Sequence, residues 1–327
     1  MSVNFTIECI GSYRTNQDLS IEPDAKPPRL NPDPSLYGKF IAENRLNLNK
    51  MEGIKEEGGS EKLETILEYI KYMAEKENNW NLKNLIDSDF VSTRNTIRSI
   101  AESIYNTEEE QMSKIVAIQK NDVVFLVSLP VHWSHATSYG PKFEKYMTLN
   151  DESSDSKRQV KYAHRARIEK SGTAIGVFYG AKVDAVDEND EKVELKVLSN
   201  GTTDYWFKTK SLRAYLQSLF GSTSKFVIGN RWRNILQEVN VMSPNSILEN
   251  GREWISWDVD ACMIHLYEVL STVKEKLSDG KTLIINRVDG IMTYEESDDD
   301  FNLVPDSFLS LFESDIFLGL SDLNPPI

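Results

Sequence analysis

Histidine and cysteine are scarce in this 327-residue chain, with four and two respectively. Cys9 and Cys262, far apart in sequence, exclude a zinc finger and a disulfide scaffold, and are expected to be buried free thiols in a reducing compartment. No apolar run approaches the ~18 residues of a membrane span. The opening MSVNFTIECIGSY alternates like a strand and lacks the basic region and apolar core of a signal peptide, so an intracellular protein of cytoplasm or nucleus is expected. Positive charge is in deficit: 37 Lys and Arg against 51 Asp and Glu leave a net charge of −14. That excludes indiscriminate nucleic-acid binding through phosphate neutralisation. Internal repeats and low-complexity tracts are absent, and neither a membrane nor DNA is an expected partner.

What is present is ordinary for a globular protein: 40% hydrophobic and 27% charged residues, in a chain long enough for a sizeable core. Leu63, Ile66, Leu67, Ile70 and Met73 share one helical face. Further helical patterns cover about 93–105, 143–147, 212–220 and 260–277, with Trp254 and Trp257 packed where the last begins. Strand patterns fall at 123–128, 181–198, 226–228 and 283–285. Residues 22–60, broken by Pro27, Pro28, Pro32 and Pro34, are expected to be irregular or to wrap a surface. The end of the chain, DSFLSLFESDIFLGL, is amphipathic and strongly apolar. The pattern predicts an α+β fold with mixed β-sheets flanked by helices, in a single compact domain spanning 1–327. A basic stretch, KRQVKYAHRARIEK (157–170), reads as a solvated loop or helix face, or as the lining of a path for a polyanion.

Residues 180–196, GAKVDAVDENDEKVELK, concentrate the chemistry. Two alternating runs, 182–186 and 192–197, flank a turn of Asp187, Glu188, Asn189 and Asp190, which predicts a β-hairpin. Side chains alternate across a strand, so Glu194 and Lys196 share a face and Leu195 points the other way. With Glu144, the residues Asp184, Glu194 and Lys196 form a candidate metal-dependent catalytic set. Converging carboxylates suit Mg²⁺ or Mn²⁺, and a lysine suits orientation of a water or stabilisation of phosphoryl charge. The same acids and lysine are equally at home as cross-strand pairs on a solvated hairpin. Lys182, on the face of Asp184, puts a cation where a metal site would not want one.

Five motifs place this hairpin in context: FVSTR (90–94), GPKFEKYM (140–147), GAKVDAV (180–186), VELK (193–196) and KSLRAYLQSL (210–219). In this order and spacing the chain resembles the decapping exoribonuclease (DXO) family, from about Phe90 to Gly229, with a looser echo through 251–273. The resemblance implies hydrolysis of incomplete or non-standard RNA 5′ ends: unmethylated caps, NAD caps and 5′-triphosphates, with 5′-to-3′ digestion in some members. It implies metal ligation by Glu144, Asp184, Glu194 and the carbonyl of Leu195, and places Lys196 by the scissile phosphate. It gives Arg94 to the 5′-terminal phosphates and Gln217 to the RNA path, with Lys210 and Arg213 on the same helical segment. It also implies, for some members, a 5′-to-3′ exoribonuclease as protein partner. Two departures stand out. Pro141 replaces a usual aromatic, and Lys182 replaces the glutamate of a Glu-x-Asp motif.

Two functions follow from these residues. One is a metal-dependent hydrolase of RNA 5′ ends, impaired to the extent that Lys182 repels the metal or fills its place by pairing with Glu144 or Glu194. The other is a catalytically inactive relative that binds RNA 5′ ends or supports a partner nuclease. Of the remaining candidates, His132 and His135 read as loop histidines, His265 as lying beside the core, and His164 as part of the basic stretch. Trp232, within NRWRN, reads as a core residue or as a base-stacking platform.

Overall fold

The structure, a computed structural model, describes residues 3–50, 63–105, 114–129, 139–149, 159–277, 280–288, 291–299 and 301–312. His132, His135, Lys157, Arg158 and the chain from 313 onward lie outside these residues.

Two mixed sheets organise the chain. The larger has nine strands in the order Ile291–Ser297, Thr282–Val288, Ile115–Lys120, Val123–Ser128, Phe90–Thr93, Thr173–Lys182, Val160–Lys170, Asn4–Thr15 and Ile21–Pro23. Its pairings are antiparallel except at Phe90–Thr93, which runs parallel to both neighbours. This interior position agrees with the sequence: all four residues of Phe90–Thr93 are buried, as are the first five of Val123–Ser128. The smaller sheet has seven strands, ordered Gly38–Lys39, Ile235–Met242, Lys225–Trp232, Lys192–Ser199, Ala185–Val186, Arg29–Leu30 and Thr148–Leu149.

Helices cover the sheets where the apolar stripes predict them: Glu64–Glu77, Arg94–Glu102, Tyr139–Met147, Ser211–Gly221 and Val259–Lys276. Capping side chains set several starts. Thr93 accepts from the amide of Thr96 at 3.2 Å, and Asp258 from that of Ala261 at 2.8 Å. Trp257 is buried beneath the start of the last of these helices and donates to Ser211 Oγ at 2.9 Å, as the sequence leads one to expect. One face of the large sheet packs on the Arg94–Glu102, Ser211–Gly221 and Val259–Lys276 helices, and the other on Glu64–Glu77. A third core joins the small sheet to the Tyr139–Met147 helix through Phe143, Met147, Leu195, Val227 and Leu236.

Gly229 lets that third core close. A Cβ there would lie 2.6 Å from Phe143 Cε2 and 2.8 Å from Leu236 Cδ1. Gly229→Ala is expected to cost ~1–3 kcal/mol, the usual penalty for overpacking, read as a lowered urea midpoint. An unchanged midpoint would show that this packing is looser than described.

Three expectations are corrected. Over its described residues the basic stretch is neither a solvated loop nor a helix: Val160–Lys170 is an interior strand of the large sheet. Three of its cations are engaged by protein groups, Arg165 by Glu8 at 2.9 Å, Lys170 by Glu268 at 2.7 Å and Lys161 by Thr65 at 3.2 Å, and Arg167 is exposed. Cys9 is exposed, and only Cys262 is buried. Trp232 is 60% exposed, which removes it from the core. The segment expected at 22–60 is described only to residue 50. Arg29–Leu30 and Gly38–Lys39 pair into the small sheet, and three short 3₁₀ turns lie around them.

Candidate functional site

The site forms where the chain leaves one sheet for the other. Lys182 is the last residue of Thr173–Lys182 in the large sheet, and Ala185 opens the next strand in the small one. The predicted hairpin is therefore short, with only Ala185 and Val186 facing Val193 and Lys192. Asp184 lies at the crossing, where its Oδ2 accepts from the amide of Leu195 at 2.9 Å.

Around the crossing three carboxylates meet three cations. Lys182 Nζ donates to Glu144 Oε2 at 2.7 Å and lies 3.0 Å from Asp184 Oδ1. Arg94, the first residue of its helix, sits 3.6 Å from Glu194 Oε2 and donates to the Lys182 carbonyl at 3.1 Å. Lys196 Nζ bridges Glu194 Oε1 at 3.2 Å and Gln217 Oε1 at 2.9 Å, and Gln217 returns a hydrogen bond to Glu194. Glu194 and Lys196 share a face as the alternation requires, and Leu195 enters the third core. Arg94, Asp184 and Glu194 are buried, whereas Lys182 and Glu144 form the half-buried rim.

Burial opposes the charged forms of Lys182, Asp184 and Glu144, and their neighbours work with or against it. Burial depresses Lys182, but Asp184 and Glu144 outweigh it and hold the ammonium well above its ordinary pKa. Burial raises Asp184, yet Lys182 and the Leu195 amide hold its carboxyl below the usual range. Glu144 goes the other way: burial, together with the Asp184 charge, pushes it up to about 7 despite the nearby ammonium.

Arg94, Glu144, Asp184, Glu194, Lys196 and Gln217 are thus brought together as the sequence reading requires. Lys182 joins them by pairing with Glu144 and Asp184, not with Glu194. Leu195 meets the group through its amide. Arg213 lies elsewhere, paired with Glu102 at 3.0 Å, and Lys210 is an exposed residue between two helices. Sequence reasoning missed that Arg94 supports Glu194 from below. The strand-to-helix junction at Thr93 was the available signal.

The sequence matches the family described as RAI1-like PD-(D/E)XK nuclease over residues 8–309. The chain belongs to this family. The family's name spells Pro-Asp, then Asp or Glu, any residue, and Lys; in this RAI1-like chain Asp184, preceded by Val183 in place of the proline, and Glu194-Leu195-Lys196 stand in that order. Decapping nuclease dom-3 of Caenorhabditis elegans is 27% identical over 311 residues, 83% of this chain and 77% of that protein. Rai1 of Scheffersomyces stipitis, solved with (3′-NADP)⁺ and calcium, superposes with a TM-score of 0.74 at 14% identity, covering 96% of this chain and 98% of that one. Candida albicans Rai1 with pU5-Mn²⁺ gives 0.72 at 15% identity and covers 96% of each chain. K. lactis Dxo1 with manganese gives 0.65 at 15% identity, covering 90% of each chain. At these identities the structures establish the shared fold.

The three solved relatives named above carry calcium or manganese, which raises the question whether the donor set of this RAI1-like chain fits a divalent ion. It does not fit. Both oxygens of Asp184 and both of Glu194 already face N–H donors, and Glu144 is taken by Lys182. Among the described residues no three His, Cys, Asp or Glu side chains are grouped to hold a metal ion. Among those residues, too, no helix is long and apolar enough to cross a membrane.

Proposed function

We propose that this protein engages RNA 5′ ends at the carboxylate cluster and that Lys182 impairs metal-dependent hydrolysis there. The observation that carries the reading is the Lys182 ammonium seated between Glu144 and Asp184. With Arg94 and Lys196 it sets three cations against three carboxyl groups, of which Glu144 is itself pushed up to about 7, and so removes the excess negative charge that would attract Mg²⁺ or Mn²⁺.

Groups suited to RNA remain. Lys182 and Lys196 each spend two of three N–H donors on protein acceptors, which leaves one apiece for a terminal phosphate. Gln217, Arg213 and Lys210 are spaced to follow one side of the helix away from the cluster, over ~10 Å at ~1.5 Å per residue. The decapping activity named for dom-3 and the pU5 bound by Candida albicans Rai1 support the same class of ligand.

The test incubates the full chain with 5′-triphosphate, unmethylated-cap and NAD-capped RNA in Mg²⁺ or Mn²⁺. Tighter binding of 5′-phosphorylated than 5′-hydroxyl RNA is expected, with little or no turnover. Turnover by the parent that disappears in Glu194→Gln would establish an active enzyme and sink the impaired reading. Equal affinity for both 5′ ends would sink the end-binding reading.

Trp232 is the candidate platform for a downstream base. It is exposed, and its neighbour Arg231 stacks 4.2 Å from the ring of Tyr139, at the start of the helix that carries Glu144. Trp232→Ala is expected to weaken single-stranded RNA binding by ~1–3 kcal/mol, the usual worth of a stacked base. Fluorescence anisotropy would measure it, with the unfolding midpoint unchanged. Unaltered affinity would remove Trp232 from the RNA path.

A further inference from the structure

The helices Arg94–Glu102 and Ser211–Gly221 face each other with matched rows of side chains. Arg94, Arg98 and Glu102, at i, i+4 and i+8, lie along one side of the first, and Arg213, Gln217 and Gly221 along one side of the second. The rows run in opposite directions. At one end a Cβ on Gly221 would stand 3.2 Å from Arg94 Nη1, and Gln217 and Arg94 share Glu194. At the other end Arg213 Nη2 donates to Glu102 Oε1 at 3.0 Å. Arg98 therefore occupies the middle of the seam, one turn (~6 Å at ~1.5 Å per residue) beyond Arg94 and the carboxylate cluster.

This seam is short of negative charge. Arg98 Nη1 donates to both oxygens of Glu102, at 2.9 and 3.0 Å, so one buried carboxylate serves both Arg98 and Arg213. Arg94 draws on Glu194, which Lys196 also uses. The Nε atoms of Arg94 and Arg98 are buried with no hydrogen-bond partner among the described residues. Nη2 of Arg98 and Nη1 of Arg213 are likewise without a protein acceptor among those residues. Burial holds the Arg98 guanidinium below its ordinary pKa; Glu102 works against that, and the charges of Arg213 and Arg94 add to it. A guanidinium nevertheless stays charged in a protein. Planar forks with unspent donors match the oxygens of a phosphate, which they grip in pairs.

On the end-binding reading of the cluster, we propose that Arg98 and Arg213 form a subsite for the outer phosphates of a 5′-triphosphate, and so set a preference for triphosphate over monophosphate RNA ends. The two directions out of the cluster divide the RNA between them. Trp232 and the Arg231–Tyr139 stack lie at the end of a small-sheet strand, where a downstream base would go. The seam lies on the helices that cover the large sheet, and it begins at Arg94. Phosphates that extend from the 5′ end away from the chain enter it there. Each outer phosphate brings negative charge to guanidiniums that share a single carboxylate. Glu102 holds the two forks in place and competes with the phosphates for them.

The test titrates the full chain in EDTA, at one salt concentration, with RNAs alike except for a 5′-hydroxyl, 5′-monophosphate or 5′-triphosphate, read by fluorescence anisotropy. The triphosphate is expected to bind at least about tenfold tighter than the monophosphate, the usual worth of charge-assisted hydrogen bonds. Arg213→Ala, at a side chain 61% exposed, should lower that ratio severalfold with the melting temperature little changed. Glu102→Gln, which releases both guanidiniums from their shared acceptor, should raise the ratio while lowering the melting temperature. A clip that merely joined the two helices would lose stability there with the ratio unmoved, and that result overturns the subsite. So does a ratio left unchanged by Arg213→Ala, a variant whose folding the exposed position protects. Equal affinity of the parent for triphosphate and monophosphate RNA overturns it too; if both then bind tighter than hydroxyl RNA, the end-binding reading still stands.

Discussion

Lys182→Glu is expected to create divalent-metal binding and raise metal-dependent cleavage of 5′-triphosphate RNA by at least about 100-fold. The parent cluster sets three cations, Arg94, Lys182 and Lys196, against three carboxyl groups, Glu144, Asp184 and Glu194, of which Glu144 is pushed up to about 7. The substitution leaves two cations against four carboxylates, a net charge that matches one divalent ion. A unit-charge interaction at 4 Å is worth ~4 kcal/mol at an effective dielectric near 20, and each ~1.4 kcal/mol is tenfold in affinity. Two orders of magnitude therefore require only part of the electrostatic gain. The metal-free variant should be less stable than the parent, since its carboxylates repel. Mn²⁺ should raise the melting temperature of the variant and not that of the parent, because a ligand that binds only the folded state stabilises it. If calorimetry shows the parent binding Mn²⁺ as tightly as the variant, Lys182 does not close the site.

Glu194→Ala should unfold the protein more readily than any surface change, by ~3–5 kcal/mol. Glu194 is the shared acceptor for Arg94, Lys196 and Gln217, and both it and Arg94 are buried. Its removal strands a guanidinium inside the protein, where an uncompensated charge costs far more than the ion pair gained. Replacing both partners, as Arg94→Leu with Glu194→Leu, should cost less than the sum of the single changes, because neither charge is then left alone. Urea denaturation of the four proteins gives the cycle. A loss under ~1 kcal/mol for Glu194→Ala would mean that water reaches Arg94 and that the cluster is more open than described.

Much of this was legible locally. The stripe from Leu63 to Met73 gave a helix because apolar residues at that spacing bury one face; it runs as Glu64–Glu77. Glu194 and Lys196 had to share a face, and Leu195 had to oppose them, because a strand repeats every two residues. The basic stretch was misread because its cations drew attention from Val160, Tyr162, His164, Ala166 and Ile168, whose alternation marks the strand. Cys9 escaped the core at an irregularity that alternation does not reveal, the register shift beside it.

The sequence by itself determined the main helices, the family and the presence of a lysine beside Asp184, since each depends on residue order and short-range periodicity. Tertiary structure decided what that lysine does. Its partner Glu144 is 38 residues away and lies on a helix packed against the other sheet. The chain changes sheets between Lys182 and Asp184, and no local pattern encodes that crossing. Only the packed fold could place the ammonium between two carboxylates and bury the group deeply enough for their charges to matter.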